Sequence, residues 1–183
     1  MKKNIGLTAF VILLTFFLQT NVHAQSGEGF GDVKGTNMLN AGVGLGSFGL
    51  SGTGGLPLIA SFEHGVSKNI SVGLEAGFIQ QKYASDWKYT YLIFGARGSY
   101  HFAINNPKLD LYGGAGLLYR HFSFKYTDGS TGDEPGYGFK SSGGDMIIDL
   151  HAGTRYLFND HVGAFGELSY GISPLKLGVA LKF

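Results

Sequence analysis

The chain has 183 residues, with 31 Gly, 15 Phe, 10 Tyr, four Pro and no Cys, and charged residues make up only 15% of it. That length suits one domain, and the absence of Cys excludes disulfide frameworks, thiol nucleophiles, thiolate metal sites and an N-terminal lipoprotein Cys. Net charge is +1, and setting Lys2 and Lys3 aside leaves 12 basic against 13 acidic residues, so no basic face for nucleic acid is expected. Soluble domains average about 25% charged residues and about 7% Gly, which makes lipid a candidate solvent here.

In chain order, Lys2 and Lys3 precede an apolar run over residues 5–18, then polar residues 19–21, then Val22, His23 and Ala24. This is the pattern of an export signal cut before Gln25. An uncleaved anchor is the alternative, but the run is shorter than the roughly 20 residues a spanning helix needs. The expected division is a signal peptide over 1–24, a short periplasmic segment over 25–36 and a membrane domain over 37–183. No later apolar stretch reaches helical spanning length, so any crossing must be made by strands closed into a barrel.

From Asn37 the sequence alternates with a period of two, which predicts eight strands. In the first, Leu39, Ala41, Val43 and Leu45 oppose Gly42, Gly44 and Gly46. The second covers about 56–65, with Leu58, Ala60 and Phe62 opposite Ser61 and Glu63. After the turn at Ser67, Lys68 and Asn69, the third sets Ile70, Val72, Leu74, Ala76 and Phe78 against Ser71, Gly73, Glu75 and Gly77. The fourth, about 88–102, sets Leu92, Phe94, Ala96, Tyr100 and Phe102 against Ile93, Gly95, Arg97, Ser99 and His101. The fifth, about 108–124, opposes Leu109, Leu111, Ala115, Leu117 and Tyr119 to Asp110, Tyr112, Gly114, Gly116 and Arg120. A polar stretch over 125–144 then reads as one long loop. The sixth strand, about 146–158, has Ile148, Leu150, Ala152, Tyr156 and Phe158 against Asp149, His151, Gly153 and Arg155. The seventh, 161–170, is followed by a short link over 171–174, where Pro174 meets no ladder demand for its missing N–H. The eighth, 175–183, ends on Phe183.

A soluble lipocalin-type barrel would show the same alternation, but its wet face should be rich in Lys and Glu. Here the polar face is mostly Gly and Ser with one or two ionisable groups per strand, as suits a narrow interior, and the apolar face suits lipid. Aromatics gather near both ends: Tyr83, Trp87, Tyr89, Tyr91, Tyr119 and Tyr170 near one, Phe62, Tyr100, Phe102, Tyr156, Phe158 and Phe183 near the other. Two such belts are expected at the membrane interfaces. Short links at 66–69, 103–107 and 159–160 read as periplasmic, and those at 50–55, 84–87, 125–144 and 171–174 as extracellular.

The leader, the eight alternating segments, one extended loop and the final strand Leu-Lys-Leu-Gly-Val-Ala-Leu-Lys-Phe over 175–183 resemble small outer-membrane β-barrels of the OmpA transmembrane-domain and OmpX type. The resemblance implies an all-β, eight-stranded antiparallel up-and-down transmembrane barrel in the cell outer membrane. It also implies recognition of the last strand, with Phe183 as assembly signal, by the barrel assembly machinery. The chain departs from OmpA proper in ending at Phe183, so cell-wall anchoring is not implied.

Inside such a barrel, Glu63, Glu75, Asp149 and Glu167 would face Arg97, Arg120, Arg155 and Lys176, with Asp110 and Lys182 adding one charge of each sign nearer the periplasmic end. An eight-stranded interior is just wide enough for side chains to fill, and charges there must be paired and hydrogen-bonded. A sealed, salt-bridged interior with small water pockets is expected; an ion pathway is the alternative reading of the same charges. His121 and Ser123 share the outer face, with Asp133 and Glu134 following, a set that could serve a lipid A deacylase of the PagL type. That family's His-x-Ser pair lies close to the C-terminus, where this chain reads Glu167-Leu168-Ser169. The six His show no ligand spacing, and no strand glycines open a helix to cradle a phosphate. No catalytic, cofactor or metal site is expected. The expected role is structural or surface-directed: membrane integrity, or contact with a host surface, an extracellular ligand or lipopolysaccharide. Tyr126, Asp128, Asp133, Glu134, Tyr137 and Phe139 are the candidate loop contacts.

Overall fold

The computed structural model describes residues 32–47, 53–83, 87–127 and 138–183, excepting the side chains at 53–54, 83, 87, 125–127 and 138–140. The strands are β1 (Asn37–Leu45), the two-residue β2 (Thr53–Gly54), β3 (Leu58–Gly65), β4 (Ile70–Tyr83), β5 (Trp87–Phe102), β6 (Leu109–Thr127), β7 (Gly138–Leu157), β8 (Val162–Tyr170) and β9 (Leu175–Lys182). β1 and β3 to β9 pair antiparallel in chain order, and β1 closes on β9 from Met38↔Lys182 to Leu45↔Leu175. β2 only extends the edge of β4, through Thr53↔Lys82. The result is a closed eight-stranded up-and-down barrel. Closure satisfies the backbone within the sheet, the condition for placing strands in lipid.

The period of two sorts the residues inside out. Leu74, Leu117, Ile148, Leu168 and Val179 are at least half exposed on the outer face, while Glu63, His101, Asp110 and Asp149 have no exposure at all. At the end carrying the short turns, the outer face holds an aromatic belt. Phe62 lies 6.4 Å from Phe183, Tyr100 packs edge-on to Phe102 at 5.3 Å, and Tyr156 to Phe158 at 6.1 Å.

Two sequence expectations are corrected. The stretch 125–144 is not one loop: the β6–β7 ladder continues through Lys125↔Lys140 to Thr127↔Gly138, which leaves 128–137 as the connection. Alternating hydropathy marks a strand only where its two faces meet surroundings of different polarity. Beyond that level both faces are wet, and Lys-Ser-Ser-Gly-Gly pairs without displaying a period. Secondly, Tyr89 and Tyr91 are not in the lipid-facing belt. They alternate with the outer residues Leu92 and Phe94, and Tyr91 packs against the inner apolar cluster.

The candidate functional site inside the barrel

The interior has three layers. At the short-turn end Val33, Met38 and Leu157 form an apolar plug. Val33 is held there because its N–H donates to Lys68 O at 2.9 Å and Gly35 N–H donates to Gly65 O at 2.8 Å, so residues 32–36 fold under the barrel mouth. At the opposite end Ile59, Ile79, Ile93, Leu118 and Ile172 form a second plug. Ile172 comes from the 171–174 link, which turns inward; Ser173 Oγ fixes it by donating to Gly46 O at 2.7 Å. Gly77 makes room for it, since a Cβ there would stand 2.8 Å from Ile172 Cδ1.

Between the plugs lies the charged layer. Arg97 on β5 joins three strands. Its Nη1 donates to Glu75 at 2.8 Å and its Nη2 to Glu167 at 2.7 Å, while Nε lies 3.5 Å from Glu63. Lys176 on β9 bonds Glu75, and reaches Glu167 at 2.8 Å and Asp149 at 3.8 Å. Arg155 on β7 bonds Glu63, donates to Asp110 at 2.7 Å and to Asn40 Oδ1 at 3.0 Å, and covers the Tyr112 ring at 4.0 Å. Tyr112 in turn donates to Glu167 at 3.0 Å. Pairing of this density is what makes burial of so many charges tolerable, since each cation satisfies more than one carboxylate.

Two Ser-His-Asp runs complete the layer. Ser71 Oγ is 2.8 Å from His101 Nε2, and His101 Nδ1 is 2.8 Å from Asp110. Ser99 Oγ is 2.9 Å from His151 Nε2, and His151 Nδ1 is 2.6 Å from Asp149. These are the contacts of a hydrolytic triad, but both hydroxyls donate to Glu63 Oε1. Five buried carboxylates, Glu63, Glu75, Asp110, Asp149 and Glu167, share the layer with Arg97, Arg155, Lys176 and the two imidazoles.

Of the residues expected to form the interior network, the structure brings together Glu63, Glu75, Arg97, Asp149, Arg155, Glu167 and Lys176. Arg120 stands apart. It has the inward alternation but lies near the top of β6, where it makes a bidentate, partly exposed pair with Asp145 at 2.7 and 3.0 Å. Asp110, expected nearer the end, is instead a full member of the layer. Sequence reasoning missed the roles of His101, His151, Ser71, Ser99 and Tyr112, although all five carry the inward alternation. Of the candidate loop contacts, Tyr126 and Phe139 face each other in the β6–β7 register; Asp128, Asp133, Glu134 and Tyr137 lie outside the described residues, as does the expected signal peptide. His121 and Ser123 stand on the outer face, opposite Leu92 and Thr90.

A closed antiparallel barrel with an apolar outer belt and a charged inner layer is a transmembrane β-barrel of the outer-membrane kind. No protein-family profile matches the chain, and no curated protein matches it. Among solved structures it is similar to OprG of Pseudomonas aeruginosa, with 14% identity and a TM-score of 0.57 over 85% of this chain and 99% of that one. It is also similar to the N-terminal β-barrel domain of OprF from the same organism, with 18% identity and a TM-score of 0.51 over 82% and 98% of the two chains. Ail, the attachment invasion locus protein of Yersinia pestis, matches with 13% identity and a TM-score of 0.51 over 82% and 99%. The chain thus shares the fold of the small outer-membrane barrels.

Proposed function

We propose that this is a non-enzymatic outer-membrane protein with a sealed interior, acting at the cell surface through the part of the barrel wall that rises above the membrane. The observation that carries this reading is strand length. β6 and β7 have 19 and 20 residues, about twice the 9–11 a transmembrane strand needs, whereas β1, β3, β8 and β9 have eight or nine. One side of the wall therefore stands well clear of the lipid. β8 pairs with β7 only from Leu150 onward, so among the described residues the edge of β7 from Gly138 to Asp149 has no strand beside it. An open edge of this length can accept an added strand from a partner. In this reading the leader over 1–24 directs export, Phe183 ends the strand recognised by the assembly machinery, and the long ladder with the loop over 128–137 meets an extracellular ligand or host surface. Ail, a neighbour in fold, is named for attachment and invasion, which is consistent with such a role.

The test joins Ser123 to Ser142 through a two-residue Asn-Gly turn, which removes the protruding ladder and keeps the membrane part. Cells displaying this variant are expected to keep a heat-modifiable barrel and an intact outer membrane while adhering less to host-cell or matrix surfaces. Adhesion equal to that of cells displaying the native protein would contradict the proposal.

A further inference from the structure

The ladder register carries a feature that strand-by-strand reading does not reveal. Lys82 on β4 pairs with Lys88 on β5, Lys88 pairs with Lys125 on β6, and Lys125 pairs with Lys140 on β7. Four lysines thus occupy one row across four adjacent strands, at about 4.8 Å per strand and roughly 14 Å in all. All four positions alternate in phase with the lipid-facing residues of their own strands, such as Leu74, Phe94, Leu117 and Ile148, so the row belongs to the outer face of the wall. No carboxylate occupies an outer-face position of β4 to β7 in the described residues. The remaining lysines lie at the short-turn end (Lys34, Lys68, Lys108 and Lys182), inside (Lys176) or in the leader (Lys2 and Lys3).

Like charges placed directly opposite one another destabilise a sheet, and four in succession, with no acid on the same face of these strands among the described residues, favour anions bound from outside. Position says which anions. The row begins four residues beyond Phe78, about 13 Å along the strand from the last apolar row of Phe78 and Leu92, with Gln80, Thr90, Ser123 and Ser142 between. By register and phase its four positions lie on the outer face of the wall, which in the outer-membrane reading is the height of headgroups. We propose that this lysine row binds the phosphate groups of outer-leaflet lipopolysaccharide, tying the protruding wall to the neighbouring glycolipid. The inference rests on the outer-membrane reading above.

The test titrates lipopolysaccharide into the full barrel, held in phosphatidylcholine nanodiscs, and reads the emission of Trp87, the single Trp of the chain and the sequence neighbour of Lys88. Native protein is expected to bind phosphorylated lipopolysaccharide about tenfold or more tightly than the Lys82→Gln/Lys88→Gln/Lys125→Gln/Lys140→Gln variant. Lipopolysaccharide stripped of phosphate is expected to bind the native barrel as weakly as the variant binds the intact lipid. A Lys82→Gln/Lys88→Gln variant, which leaves β6 and β7 untouched, should lose part of the affinity, and Lys68→Gln/Lys108→Gln, at the other end, none. Equal affinity of native and fourfold variant, or of intact and dephosphorylated lipid, overturns the proposal. So does inositol hexakisphosphate binding the row as tightly as the lipid does, which would make the ligand a free polyphosphate. A native chain that fails to enter nanodiscs as a heat-modifiable barrel contradicts the membrane reading itself, so the two failures are told apart.

Discussion

Arg97 and Arg120 show how the same residue type, on the same alternating face, acquires opposite energetic weight. Arg97 is buried among Glu63, Glu75 and Glu167, whereas Arg120 and Asp145 keep side-chain exposures of 28% and 44%. Removing one partner from a buried ionic set leaves uncompensated charge and costs about 3–5 kcal/mol; losing a surface pair costs about 0–1 kcal/mol. Arg97→Met is therefore predicted to lower the urea midpoint of the vesicle-folded barrel strongly, and Arg120→Met to leave it nearly unchanged. Similar losses from the two would contradict the layer's role.

Among the elements, the apolar plugs explain why the interior is closed at both ends of its charged layer. The link over 171–174 is short enough to pass for a plain connection in the sequence, yet it turns Ile172 and Ser173 into the barrel mouth. Ile172 sits on the space left by Gly77. Gly77→Leu is predicted to expel Ile172 and destabilise the barrel by about 1–3 kcal/mol, read as a lower unfolding midpoint. A Gly77→Leu/Ile172→Gly pair should recover part of that loss, and no recovery would show that the two do not share one space. The strands themselves were legible in the sequence wherever one face meets lipid: the nine residues 70–78 alternate without exception and lie in β4. They were illegible where the ladder leaves the membrane, because Lys125, Ser141, Ser142, Gly143 and Gly144 satisfy backbone bonds without sorting by polarity. The interior acids and bases were legible by phase. Their partners were not, because pairing Arg155 with Asp110 and Glu63, or Lys176 with Glu75, depends on how the tilted strands stagger around the barrel. Ile93, on the same inward face as Arg97, belongs to a plug and not to the charged layer, a distinction of height that alternation does not encode.

At the scale of the whole molecule, the barrel is an inverted protein. Its outer surface is apolar over a belt, its centre is ionic, and each end of that centre is stopped by aliphatic side chains. The wall is uneven: short strands β8, β9, β1 and β3 on one side, long strands β4 to β7 on the other. The short strands match the length a membrane crossing needs, and the excess length of the others carries the lysine row and, among the described residues, an edge of β7 with no strand beside it. A sealed interior of the kind proposed leaves no conducting path through the middle. Single-channel recording of the refolded chain in planar bilayers tests it most directly, beside a variant carrying Arg97→Ala and Ile172→Ala, which loosens the ionic layer and one plug together. Silence is predicted from the native protein and leak from the variant; steady, reproducible channels from the native protein would contradict a sealed interior.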